Sequence, residues 1–205
     1  LKPFVKVSEQ LGLFAGQLMP LNFDEIAIDY VGDVSDYNCA PITSAAVAGV
    51  LSSTLPDINM VSAPTIARDK GIAITETKKD EHSAYESYIR INLVSKKEKF
   101  SIGGTIFSDG QPRIVQINGI NLEAGLMPNM LYVTNKDVPG LIGSLGNILG
   151  DEKINIASFN LGRTGPLKDA MALIGVDKAV NENVIKEVEK LDSVVQVKSL
   201  NFNII

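Results

Sequence analysis

Apolar positions in the last third of the chain keep changing period, and the changes outline a small fold. Residues 131–135 read as a strand. From about Pro139 the spacing lengthens to that of a helix, setting Leu141, Leu145 and Ile148, with Ile142 and Leu149, on one face. Strands are predicted over 155–162 and 169–176, then a helix over 182–191 presenting Val184, Val188 and Leu191, then a strand over 194–200. The order β-α-β-β-α-β predicts the ferredoxin-like split unit, an antiparallel sheet with both helices on one face.

Upstream the pattern differs and predicts a separate α/β unit, so the fold class is α+β overall. A helix over 4–18 shows Val7, Leu11, Phe14 and Leu18 and stops near Pro20. The following strand puts Ile26, Ile28 and Tyr30 on one face and Ala27, Asp29 and Val31 on the other. Pro41 suits the first turn of a second helix, where its missing N–H is no loss; Val47, Val50 and Leu51 point inward before the helix ends ahead of Pro56. A shorter helix starts near Pro64 and is closed by Gly71, which can take the left-handed cap. Strands follow over 72–77, 88–94, 100–107 and 113–117, and Asn118-Gly119 makes a two-residue hairpin turn that folds 121–124 back. The short segment 125–129, with Pro128, is the expected boundary, giving domains 1–127 and 128–205.

Composition then narrows the function. Of 205 residues 45% are hydrophobic and 21% charged, a globular balance. A net charge of −5 and a pI near 5.0 offer no basic face to a phosphate backbone, so no nucleic-acid partner is expected. No apolar run approaches the ~20 residues a bilayer demands, so no membrane partner is expected. No signal peptide precedes the first helix, and the single cysteine, Cys39, suits a reducing compartment; the expected location is cytoplasmic. Cys39 without a partner reads as a small buried hydrophobe. His82, the only histidine, sits with Asp80 and Glu81 in a polar run that reads as a solvated loop, so neither a catalytic triad nor a metal site is expected. The chain opens at Leu1 directly in a helical pattern, which leads us to expect a fragment of a longer polypeptide.

Two bends of the C-terminal unit carry the candidate chemistry. Asn135-x-Asp137-x-Pro139-Gly140 joins the first strand to the first helix, and Asn155-Ile156 opens the second strand. On spacing alone Asp137 can simply complement the helix dipole and Asn155 fill a turn. These bends, with Met171-Ala-Leu-Ile-Gly-Val-Asp177, resemble an ACT domain, and more narrowly the C-terminal regulatory region of the long-form D-3-phosphoglycerate dehydrogenase family. The upstream unit resembles the intervening, or allosteric substrate-binding, domain of that family through Asn59-Met-Val-Ser-Ala-Pro64, Ala67 to Gly71, Ser101-Ile-Gly-Gly-Thr-Ile-Phe107 and Pro112-Arg-Ile-Val-Gln-Ile-Asn-Gly119.

The resemblance implies an effector site for L-serine or a similar small amino acid at an interface between two ACT domains. Asp137 would take the ammonium, and the first-turn N–H groups after Pro139 and Gly140 the carboxylate. Asn135 and Asn155 would serve as two-way hydrogen-bonding groups. All three polar residues are expected at one end of the sheet. Asn135 stands where serine-inhibited members carry histidine or tyrosine. The resemblance further implies a homo-oligomer and feedback control. Its NAD-dependent parent would oxidise 3-phospho-D-glycerate for serine synthesis, with the NAD site and catalytic residues upstream. This segment itself would hold no cofactor and no catalytic residue. Similar pairings of domains leave two other readings: the β-subunit of an iron–sulfur L-serine dehydratase, and a stand-alone amino-acid-sensing adaptor.

Two further features have double readings. Gly143, Gly146 and Gly150 recur along the first ACT helix at ~1 kcal/mol of helix propensity each, for close approach to a partner or ligand, or for tight packing within the domain. Arg113 either faces a phosphate or carboxylate or is a solvated strand-end residue; the second basic residue that accompanies it in some relatives is Gly125 here.

Overall fold

A computed structural model describes residues 1–80, 84–165 and 168–202. The chain divides into two compact units, Leu1–Gly119 and Ile120–Ile205. In the first, β1 (Glu25–Gly32), β2 (Ala73–Lys79), β3 (Ser87–Val94), β4 (Lys99–Ile106) and β5 (Pro112–Ile117) stand in the order β2-β1-β3-β4-β5. Only β2 pairs parallel, with β1; the other pairs are antiparallel. The alternation expected in β1 holds, with Ile26, Ile28 and Tyr30 fully buried.

Three helices, α1 (Lys2–Leu18), α2 (Ala40–Ser52) and α3 (Ala63–Asp69), accompany this sheet. α2 was expected to bury one stripe, yet nearly every residue from Ile42 to Leu51 is buried. The cause is α1, which lies against it backbone to backbone. A Cβ on Gly49 would stand 2.1 Å from the Glu9 carbonyl oxygen, and one on Gly16 2.1 Å from that of Val50. At the end of β5, Asn118 and Gly119 take φ of 47° and 79°, the two left-handed residues of a tight hairpin turn. The division between the units falls in this turn, and β6 (Ile120–Ala124) opens the second unit.

The second unit adds β7 (Asn129–Lys136), α4 (Leu141–Asp151), β8 (Ile156–Arg163), β9 (Asp169–Val176), α5 (Glu182–Glu189) and β10 (Val194–Asn201). Its sheet runs β10-β7-β9-β8 with all neighbours antiparallel, the expected split βαββαβ topology. Leu131, Val133, Ala172, Ile174 and Val197 on the sheet meet Leu141, Leu145 and Leu149 of α4 and Val184 and Val188 of α5. The inward positions of α4 are thus i, i+4 and i+8. That leaves Ile148 half-buried and turns Ile142, expected on the buried face, 56% out to solvent. α5 is capped by Asn181, whose Oδ1 accepts from the Val184 N–H at 3.0 Å.

Candidate functional site

β7 and β8 run in the same direction on either side of β9, so their C-terminal ends share one edge of the second sheet. Register places Asn135 opposite Ala170, and Ala170 opposite Arg163. One inward rung earlier stand Val133, Ala172 and Leu161. Because side chains alternate along a strand, both rungs face the helices. Between Asn135 and Arg163 on this rung stands only the small side chain of Ala170.

The chain leaves β7 through a tight bend, in which the Asp137 N–H donates to the Lys168 carbonyl at 2.9 Å and the Val138 N–H to that of Lys136 at 2.9 Å. Gly140 then caps α4 at φ 101°, a backbone conformation that side chains resist. Being glycine, this N-cap residue offers no side chain to cap the first turn. A cavity of about 450 Å³ opens between this bend and the sheet, bordered among others by Asn135, Asp137, Pro139, Gly140, Leu161 and Arg163.

Its electrostatics centre on one ion pair. Asp137 Oδ2 accepts from Arg163 Nε at 3.0 Å and Nη2 at 2.5 Å, with the aspartate side chain 16% and the arginine side chain 53% exposed. Beside them Asn135 is only 3% exposed. Its Nδ2 donates to the Lys136 carbonyl at 2.9 Å, while its Oδ1 is buried with no donor among the described residues. An orphaned buried acceptor costs ~1–3 kcal/mol, which a ligand donor would recover.

The structure therefore brings Asn135, Asp137, Pro139 and Gly140 together and adds Arg163, which sequence reasoning missed. The expected strand stopped at residue 162, one short; extended by one, period two from Leu161 would have put Arg163 beside the cavity. Asn155 is not brought there, and the expectation that all three polar residues share one end of the sheet is overturned. Within a strand–helix–strand unit the helix carries the chain back, so β8 starts at the far end, where Ile156 pairs with Val176 and Val176 with Asn129. There the Asn155 backbone is tied to Asp177, its N–H donating to Asp177 Oδ1 at 3.0 Å and its carbonyl accepting from the Asp177 N–H at 3.1 Å.

The remaining candidates fall as follows. A Cβ on Gly143, Gly146 or Gly150 would meet nothing within 4 Å, so tight packing inside the unit does not account for these glycines. Arg113 is held locally: Nη2 pairs with Asp109 at 2.9 Å, Nη1 donates to the Pro112 carbonyl at 3.1 Å, and the guanidinium lies over the Phe107 ring. Gly125 has open space around it. Cys39 is buried, its thiol donating towards the Val34 and Tyr37 carbonyls, and burial pushes its pKa up. Asp80 is exposed; Glu81 and His82 lie outside the described residues. Among the described residues no group of three His, Cys, Asp or Glu could hold a metal ion, and no helix is long and apolar enough to cross a membrane.

Comparison with known proteins finds one family model within each unit. Residues 1–118 match the D-3-phosphoglycerate dehydrogenase intervening domain and residues 129–193 the ACT domain. The D-3-phosphoglycerate dehydrogenase of Methanocaldococcus jannaschii is 32% identical over 204 residues, 98% of this chain and 38% of the relative. That of Synechocystis is 30% identical over 193 residues, 93% of this chain and 35% of the relative. That of Bacillus subtilis is 28% identical over 202 residues, 98% of this chain and 38% of the relative. The chain spans little more than a third of the length of these relatives. With an intervening domain followed by an ACT domain of ferredoxin-like topology, the chain belongs to the D-3-phosphoglycerate dehydrogenase family, as its C-terminal regulatory part.

Proposed function

We propose that this chain is the amino-acid-sensing segment of an NAD-dependent D-3-phosphoglycerate dehydrogenase, and that its ACT cavity takes L-serine or a similarly small amino acid. The observation that carries the reading is the buried, donorless Oδ1 of Asn135 at a cavity lined by the Asp137–Arg163 pair. A zwitterion entering that cavity supplies a donor to the orphaned oxygen and a counter-charge to each member of the pair.

Oligomerisation belongs to the same proposal. β8 ends the strand order beside the cavity, and Leu161 and Ile142, which both border the cavity, are 40% and 56% exposed. A second copy laid edge to edge along β8 would cover both and extend the sheet. The open glycine face of α4 would admit a neighbouring helix backbone. In this arrangement the third polar candidate, Asn155, comes from the second copy. Binding would bias the assembly and, through it, the catalytic domains of the parent, with a coupling of ~1–3 kcal/mol typical of such linkage.

The test is thermal unfolding of the chain with a panel of small amino acids. L-serine at ~100 times its Kd should add ~2.7 kcal/mol and raise the Tm by several degrees, and Asp137→Ala should remove the shift. A flat response to serine, glycine, alanine and threonine would refute the proposal.

A further inference from the structure

The function proposed for the ACT cavity leaves open which group receives the ligand's carboxylate: the uncapped first turn of α4, or Arg163. Both border the cavity. The geometry points to Arg163. Its Nε and Nη2 both rest on a single oxygen of Asp137, Oδ2. Among the described residues its Nη1 and the aspartate's Oδ1 carry no further hydrogen bond, so a negative and a positive group sit side by side at the cavity, each with a polar atom left over.

We propose that Arg163 is the carboxylate receptor of this site, held in place by Asp137, and that the pair selects α-amino acids. The inference rests on the reading of the cavity as an amino-acid site. In an α-amino acid the ammonium and carboxylate stand on the same carbon, as close together as the two members of a contact ion pair. Laid over Asp137 and Arg163 in the opposite sense, they complete a square of alternating charge. The ammonium meets Asp137 and the orphaned Asn135 Oδ1, and the carboxylate meets the guanidinium fork. Amino acids with the two charges separated by further carbons cannot close the square. Register supports the placement, because Arg163 and Asn135 share one inward rung across the small Ala170, so both ends of the ligand are fixed from the rigid sheet.

Calorimetric titration with matched ligands isolates the carboxylate. Wild type and Arg163→Gln are titrated with L-serine and L-serinamide, and with glycine and glycinamide, in mildly acidic buffer where every amine is protonated. Wild type should prefer the acid over its amide by about tenfold, the scale of a charged hydrogen bond at a half-exposed site. In Arg163→Gln that preference should collapse to within about twofold, and Arg163→Lys should restore part of it. A purely structural arginine would weaken acid and amide alike and leave their ratio unchanged, which overturns this inference alone. Failure of wild type to bind any of the four ligands overturns the amino-acid reading as well.

Discussion

Gly49 and Gly146 both sit in helices, and the same change to alanine is expected to act on them with opposite sign. On α2 the new methyl of Gly49→Ala would lie 2.1 Å from the Glu9 carbonyl oxygen and 2.8 Å from the Leu13 nitrogen, both rigid backbone of α1. Carbon and oxygen normally stay more than 3 Å apart, so the helices must separate by about an ångström or tilt. Overpacking of this kind costs ~1–3 kcal/mol, against at most ~1 kcal/mol returned by the better helix propensity of alanine. A net loss of up to ~2 kcal/mol follows. On α4 a methyl at Gly146 meets nothing within 4 Å, so only the propensity gain remains, and the second unit should gain up to ~1 kcal/mol. Because the chain has two units, a single unfolding midpoint would mix them. Hydrogen exchange read peptide by peptide separates protection in α1 and α2 from protection in α4. Gly49→Ala that leaves α1 and α2 as protected as wild type would refute the backbone contact. Gly146→Ala that loosens α4 in dilute, unassociated chain would refute the open face. Should α4 meet its counterpart in a second copy, Gly146→Ala firms the isolated unit yet weakens association, a pair of effects that sedimentation at two concentrations resolves.

Asn181→Ala removes the only side-chain cap seen on α5 and should cost ~1 kcal/mol, with Asn181→Asp nearly neutral; urea unfolding followed at α5 checks it. The phenols of Tyr30, Tyr88 and Tyr132 are pushed up chiefly by burial, so the folded chain keeps protons that the unfolded chain releases near pH ~10. Their contribution to stability is complete below that pH and declines as pH rises through it, by up to ~1.4 kcal/mol per pH unit for each tyrosine. Phenolate absorbance from these three should therefore appear together with loss of the circular dichroism signal. Absorbance that rises for all five tyrosines while the fold persists would contradict it.

Which parts of this were legible follows from where the information lies. β9 covers Asp169–Val176, the range its run of apolar residues predicts, because a strand buried on both faces needs no partner to be recognised. The Asn118-Gly119 turn was equally local, since positive φ is a property of those two residues. The all-round burial of α2 was not legible, because its cause is a second helix reaching glycines some thirty to forty positions away. Ile142 misled for a subtler reason. It is apolar and adjacent to the inward stripe, and only the packed sheet decides that Leu141, Leu145 and Leu149 point in while Ile142 borders a cavity. Arg163 lay one residue past a predicted strand end, the kind of error that a boundary uncertain by a residue produces. Its ion pair with Asp137 depends on which strand separates β7 from β8, and that is topology rather than pattern.

Strand direction, finally, turns the misplaced Asn155 into a test of assembly. β8 spans Ile156–Arg163, so at ~3.3 Å per residue Asn155 lies ~25 Å from the Asn135 end of its own sheet, too far for one small ligand to touch both. Two copies paired antiparallel along β8 reverse that relation, because each strand then starts beside the end of its mate. Asn155 of one copy would approach Asp137 and Arg163 of the other, twice per dimer. Mutants in the two positions should then complement across copies. Asp137→Ala alone and Asn155→Ala alone would each spoil both sites. In a dimer containing one chain of each kind, one site carries both defects and the other carries neither. Equal mixing and exchange would leave half the dimers hybrid and so restore about a quarter of the wild-type L-serine sites, at wild-type affinity. Were Asn155 to act only within its own chain, the mixture would bind no better than its components. Were Asn155 uninvolved, its variant would bind normally before any mixing. Titrating the two variants and their exchanged mixture thus reads the geometry of the site directly from its stoichiometry.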